Sequence, residues 1–103
     1  MLAFLKKIIG GSNIDYKMLL HQGAIIVDVR TPAEFNSRHI KSAINIPLDQ
    51  LKSKVVELKR KNKVIITCCR SGTRSGIAKS ILTTAGLECY NGGGWNTLEN
   101  KII

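Results

Sequence analysis

The apolar run Val64-Ile65-Ile66 leads through Thr67 into Cys68-Cys69-Arg70-Ser71-Gly72-Thr73-Arg74-Ser75, and this juncture constrains the fold more than any other stretch. Its order predicts a buried strand over 63–68, a tight polar loop opened by a cysteine, and a helix beginning near Arg74. Such a loop can aim several backbone N–H groups at one sulfur, as an anion-binding nest at a helix N-terminus does. Two arginines and the positive end of a helix both favour thiolate over thiol, and the thiolate is the nucleophilic form. Cys69 is therefore the candidate nucleophile, with Arg70, Ser71, Gly72, Thr73 and Arg74 as the loop around it.

The rest of the chain repeats the alternation of strand and helix. Ser12 or Asn13 is positioned to cap a helix carrying Ile14, Met18 and Leu19 on one face, and Gly23 stops it. The apolar run from Ala24 to Val29, which contains Asp28, reads as a strand buried on both faces of a parallel sheet. Thr31-Pro32-Ala33-Glu34-Phe35 supplies a cap, a proline at the first helical position and an acid in the first turn, so a short helix begins there. Ala43 to Ile46 is a short strand closed by Pro47, and Leu48, Leu51, Val55, Val56 and Leu58 mark an amphipathic helix that fades into Lys59-Arg60-Lys61-Asn62. After the cysteine loop, Ile77, Ala78, Ile81, Leu82 and Ala85 recur at helical spacing up to Gly86. Leu87 to Tyr90 is one more strand, Gly92-Gly93-Gly94 is expected to turn the chain, and Trp95 opens a last helix. The class is α/β with a largely parallel sheet. Ligands of such sheets sit beyond the carboxyl ends of the strands, where the cysteine loop falls.

Sixteen Lys and Arg against seven Asp and Glu give a formal charge of +9, which draws anions to the surface. Nucleic acid is not the expected partner, because only five aromatics are scattered through the chain and the lysines, as in Lys52, Lys54, Lys59 and Lys61, fall on solvated helix faces. At 44% hydrophobic and 22% charged, 103 residues make one folded domain, expected over residues 12–103 behind an arm at 1–11. The three cysteines include an adjacent pair that disulfide geometry does not suit, so a reducing compartment, the cytoplasm, is expected. The opening Met1-Leu2-Ala3-Phe4-Leu5-Lys6-Lys7-Ile8-Ile9 lacks a positive region ahead of its apolar residues, and two lysines interrupt it. It reads as a short amphipathic helix capping the fold rather than a signal peptide or a membrane span.

Four blocks then stand in a telling order: Asp28-Val29-Arg30 with Glu34-Phe35, His39-Ile40-Lys41-Ser42-Ala43-Ile44-Asn45-Ile46-Pro47, Cys69 to Ser75, and Gly93-Gly94-Trp95. Together they resemble the single-domain rhodaneses, the thiosulfate sulfurtransferases, from about Ile14 onward. The resemblance implies a three-layer α/β/α rhodanese-like fold with a sheet of four to five strands. It also implies a ping-pong reaction in which Cys69 takes sulfur from a small anionic donor such as thiosulfate, becomes a persulfide, and passes that sulfur to cyanide or a thiol. Neither metal nor organic cofactor is implied. Backbone amides from Arg70 to Arg74 would stabilise charge on sulfur, and Arg70 and Arg74 would hold the departing sulfite-like anion. A relay module that takes sulfur from an acidic protein partner is the alternative. Phosphatases and arsenate reductases share the fold but carry a longer loop; here four residues separate Cys69 from Arg74, a cradle better suited to a single sulfur.

The remaining candidates read more plainly. Strand alternation sends Cys68 away from the pocket as a small buried hydrophobe, and Cys89 belongs to the core. Asp28, Arg30 and Glu34 are expected to support the wall of the site, Arg30 pairing with Glu34 or Asp28. His39 reads as a hydrogen-bonding helix-terminal residue, preceded by Arg38 where the resembling family commonly has glycine. His21 reads as solvated, and Trp95 as a core plug behind the glycines. The cysteines and histidines show no metal-ligand spacing.

Overall fold

The computed structural model describes residues 13–103; the expected arm and the cap candidate Ser12 lie outside the described residues. Four strands, β1 (Ile25–Asp28), β2 (Ile44–Asn45), β3 (Ile65–Cys69) and β4 (Cys89–Gly94), pair in parallel in the order β2-β1-β3-β4. The helices are α1 (Tyr16–His21), α2 (Pro32–Ser37), α3 (Val55–Lys61), α4 (Thr73–Thr84) and α5 (Trp95–Ile102), with a 3₁₀ segment over Leu48–Lys54 leading into α3.

The period of two along the strands divides the core into two faces. Ile26, Ile66, Cys68 and Tyr90 pack with Tyr16, Leu19 and Leu98 under α1 and α5. Val27, Ile65, Cys69 and Cys89 pack with Leu51, Leu58, Ala78 and Leu82 under the 3₁₀ segment, α3 and α4. The result is the expected three-layer α/β/α arrangement. β1 and β3 are covered on both sides, which is why their sequences are near-continuous apolar runs. Each fully buried aliphatic side chain here contributes about 1.5–3 kcal/mol.

Some local expectations are corrected. The first helix is capped by Asp15, not Asn13: its Oδ1 accepts the Met18 N–H at 2.9 Å, and a carboxylate also suits the positive helix end. The helix expected from Leu48 starts as 3₁₀, and Val56 is 62% exposed, because it sits roughly 200° round the axis from Leu58. Ile77 is 50% exposed for a similar reason. The stripe that α4 buries runs through Ser75, Ala78 and Leu82; Ala78 and Leu82 belong to the expected period, while Ser75, a polar residue, lies outside it. At α2 the reading holds: Thr31 and Glu34 form a reciprocal capping box behind Pro32.

The largest correction concerns the glycines. They do not turn the chain after Tyr90 but extend β4 to Gly94. A Cβ on Gly92 would stand 2.9 Å from both the Thr67 carbonyl oxygen and Leu98 Cδ2, and one on Gly94 2.8 Å from the Arg70 carbonyl oxygen. Here glycine permits close approach of β4 to β3 and its loop. A register shift accompanies it: Thr67 pairs with Asn91 but Cys69 with Gly94, so β4 carries one extra residue, with Gly93 at φ 82°. No helix among the described residues is long and apolar enough to cross a membrane.

Candidate active site

Cys69 is the last residue of β3, at the carboxyl edge of the sheet, and is 1% exposed. The chain leaves it through Arg70 and Ser71 and reaches Gly72 at φ 105°, a conformation that strains any residue with a Cβ. That left-handed step starts α4 at Thr73, one residue before the expected Arg74. It also turns the Gly72 N–H back onto Cys69 Sγ, at 3.0 Å. One helical turn on, the Ser75 N–H and Oγ each lie 3.4 Å from the same sulfur.

Burial alone would push the Cys69 thiol up. The Ser75 hydroxyl and the amides of Ser75, Gly72 and Ser71 outweigh it, and the thiol sits below its ordinary 9.0. The helix dipole of α4 acts in the same direction. The amides that reach the sulfur thus include Ser75, beyond the Arg70–Arg74 range expected from the sequence.

The two arginines of the loop have different surroundings. Arg70 is exposed at the head of the loop. Arg74 forms a two-pronged pair with Glu34, Nη1 to Oε1 at 2.7 Å and Nη2 to Oε2 at 3.0 Å. The Arg74 guanidinium, with the Thr31 amide behind it, holds the Glu34 carboxyl down to about 2. Glu34 in turn raises the Arg74 guanidinium, to which Cys69 adds only a lesser, longer-range attraction. Beside this pair, Val29, Thr31, Pro47, Leu48, Asp49 and Arg74 line a cleft of about 360 Å³.

Of the two partners expected for Arg30, the structure selects Asp28. Both are buried, at 4% and 0% exposure. Arg30 Nε donates to Oδ1 and Oδ2 at 3.0 Å each, and Nη2 to Oδ2 at 2.8 Å. The same guanidinium donates to the carbonyls of Glu34 (3.3 Å), within α2, and Arg38 (2.8 Å), just past its end, and so ties α2 to β1 through Asp28. Trp95 is half-buried, not a core plug: it packs on the α1–α5 face of the core with the Arg30 and Arg38 guanidiniums 5.0 and 5.5 Å from its ring centroid.

Cys68 faces the opposite side of the sheet from Cys69, as alternation requires; burial and then Asp28 push its thiol up. Burial likewise pushes Cys89 up to about 12. His39 stacks on Phe35 and donates from Nδ1 to the Phe35 carbonyl at 2.6 Å, and His21 is exposed at the end of α1. Sequence reasoning left two residues outside the site. Ser75 lay within the quoted motif, one helical turn beyond the loop. Asn91 had no signal at all: its Nδ2 donates to the Gly72 carbonyl at 3.1 Å, and its Oδ1 accepts from Gly93 N–H at 2.9 Å and Ser75 Oγ–H at 2.7 Å.

The family model described as "Rhodanese-like domain" matches residues 12–101. The chain is 37% identical over 70 residues to the thiosulfate sulfurtransferase PspE of Escherichia coli, a match covering 66% of this chain and 67% of that protein. It is 40% identical over 84 residues to the uncharacterized protein YqhL of Bacillus subtilis, covering 80% of this chain and 66% of that one. The match thus spans about two thirds of the length of each of these relatives. Among solved structures, a rhodanese with anions from E. coli superposes with a TM-score of 0.67 at 34% identity, covering 73% of this chain and 91% of that one.

Proposed function

The chain belongs to the rhodanese-like family of sulfurtransferases, and we propose that it moves a sulfane sulfur from thiosulfate to a small nucleophile through a persulfide on Cys69. The observation that carries this reading is the cradle itself: two backbone N–H groups and a hydroxyl converge on one buried sulfur at a helix N-terminus.

In the first half-reaction the Cys69 thiolate attacks the outer sulfur of thiosulfate. A new S–S bond forms at Sγ, the S–S bond to the sulfite group breaks, and sulfite leaves with its electron pair. The charge carried by the thiolate passes to the outer sulfur of the persulfide, still within reach of the amide cradle. In the second half-reaction cyanide or a thiolate attacks that outer sulfur and returns Cys69 as thiolate. No redox partner or base is required once the thiol is ionised, and dividing the transfer into two displacements is covalent catalysis. Ser71 and Thr73, exposed on the loop, border the approach, and exposed Arg70 offers its guanidinium to the departing sulfite. Arg74, held by Glu34, forms a wall, and Arg30, paired with Asp28, supports that wall through its bond to the Glu34 carbonyl.

Intact mass after incubation with thiosulfate tests the proposal. Wild type should gain the mass of one sulfur, release sulfite, and lose the added mass to cyanide as thiocyanate, while Cys69→Ser gains nothing. No gain on wild type would overturn thiosulfate as donor and shift the assignment to a protein persulfide docking on the basic surface. High salt should slow that docking.

A further inference from the structure

Ser75 is fully buried, so its hydroxyl proton has only two destinations among the described residues: Asn91 Oδ1 at 2.7 Å or Cys69 Sγ at 3.4 Å. The Asn91 amide cannot exchange its ends to suit the serine. Its oxygen faces the Gly93 N–H and its nitrogen faces the Gly72 carbonyl, so a flipped amide would set N–H against N–H and oxygen against oxygen. Asn91 therefore presents a fixed acceptor to the hydroxyl.

The two sulfur states make opposite demands on that hydroxyl. A neutral sulfur is a poor acceptor, so the Ser75 proton points at Asn91 and the oxygen is left to receive the Cys69 S–H. A thiolate is a strong acceptor, and the hydroxyl can rotate to donate to it. We propose that Asn91 is a positioning residue that holds Ser75 as a two-way rotor. The proton rests on Asn91 while Cys69 Sγ is neutral, as thiol or in the S–S bond of the persulfide, and swings to Sγ while it is a thiolate. Neither state then leaves a buried hydroxyl proton unpaired. No bond is made or broken in the swing, and no co-reactant is needed. The same amide ties β4 to the loop through the Gly72 carbonyl, so β4 takes part in setting the ionisation of a sulfur on β3. The charged groups bordering the site are Arg70 of the loop, Arg74 with its partner Glu34 of α2, the Asp28–Arg30 pair, and Asp49, which lines the same cleft as Arg74. The hydrogen bonds to Sγ come from Gly72 and Ser75, not from these side chains.

This inference rests on Cys69 being the reactive sulfur, but its test reads thiol ionisation and needs no sulfur donor. The pH dependence of iodoacetamide alkylation of Cys69 is measured in wild type, Ser75→Ala, Asn91→Asp and the double variant. Ser75→Ala should weaken ionisation about tenfold, the usual worth of a hydrogen bond to a charged group. Asn91→Asp should also weaken it, since a carboxylate grips the hydroxyl proton. In the Ser75→Ala background the effect of Asn91→Asp should shrink at least about threefold, leaving only the added charge. An equal effect in both backgrounds overturns the rotor. If Asn91→Asp does not unfold cooperatively in urea, the side-chain amide resonance of Asn91 is followed by NMR through the Cys69 titration. Its shift should fall by half or more in Ser75→Ala, and an unchanged shift overturns the proposal. Loss of sulfur transfer with the coupling intact would refute the proposed reaction and leave the rotor standing.

Discussion

Arg30→Met isolates what the buried ion pair does for this fold. The substitution keeps much of the stem volume and removes every guanidinium bond. Asp28, fully buried, then keeps the Arg30 backbone N–H, 3.0 Å from Oδ1, but loses its three contacts with the Arg30 side chain. The carbonyls of Glu34 and Arg38 lose their donor as well, although both lie near the surface and water can replace it. The dominant cost is the stranded carboxylate, for which breaking a buried pair typically loses about 3–5 kcal/mol. At about 4–8 °C per kcal/mol for a domain of this size, Tm should fall by roughly 12 °C or more. Urea unfolding at pH 7 is the assay, with an unchanged slope confirming that the same surface is exposed. Asp28→Asn added to Arg30→Met should recover at least about 1 kcal/mol, because it removes the charge that the first substitution stranded. A loss below about 1 kcal/mol for Arg30→Met, or a double variant less stable than the single, would refute the reasoning.

Two further predictions follow from local geometry. Gly92→Ala forces a Cβ to within 2.9 Å of the Thr67 carbonyl oxygen, which backbone cannot easily yield, so stability should fall by about 1–3 kcal/mol in the same assay; an unchanged midpoint would show that β4 can relax away from β3. Glu34→Gln removes the carboxylate paired with Arg74 at an interaction about one third exposed, with an expected loss of about 1 kcal/mol at pH 7 after allowance for solvent screening. Because folding lowers the Glu34 pKa from 4.5 to about 2, the wild-type advantage should be full above pH 4.5 and vanish as pH falls through about 2. A gap between the two proteins that stays constant across that window would exclude the ion pair as its source.

Much of the fold was already legible as pattern. Period and punctuation are local properties, so the alternation of buried strands with capped helices, the parallel class, and the separation of Cys68 from Cys69 onto opposite faces all follow from neighbours along the chain. The capping box at Thr31 and Glu34 was visible for the same reason. The glycines of β4 were misread because glycine serves both turns and close packing, and only the approach of Thr67 and Arg70 from distant parts of the chain selects packing here.

The candidate site divides along the same line. Residue order already specifies the nucleophile candidate, its glycine-bearing loop and the helix that follows, because these are contiguous and their chemistry depends on residue type and spacing. Which charge meets which depends on contacts between distant segments. Arg74 is engaged by Glu34, 40 positions away, and Arg30 chooses Asp28 over Glu34. Tertiary structure also brings Asn91 to Ser75 and Gly72, through a β3–β4 register with one extra residue on β4. A hydrogen bond depends on angle and a few tenths of an ångström, and no periodicity along a chain carries that information between strands.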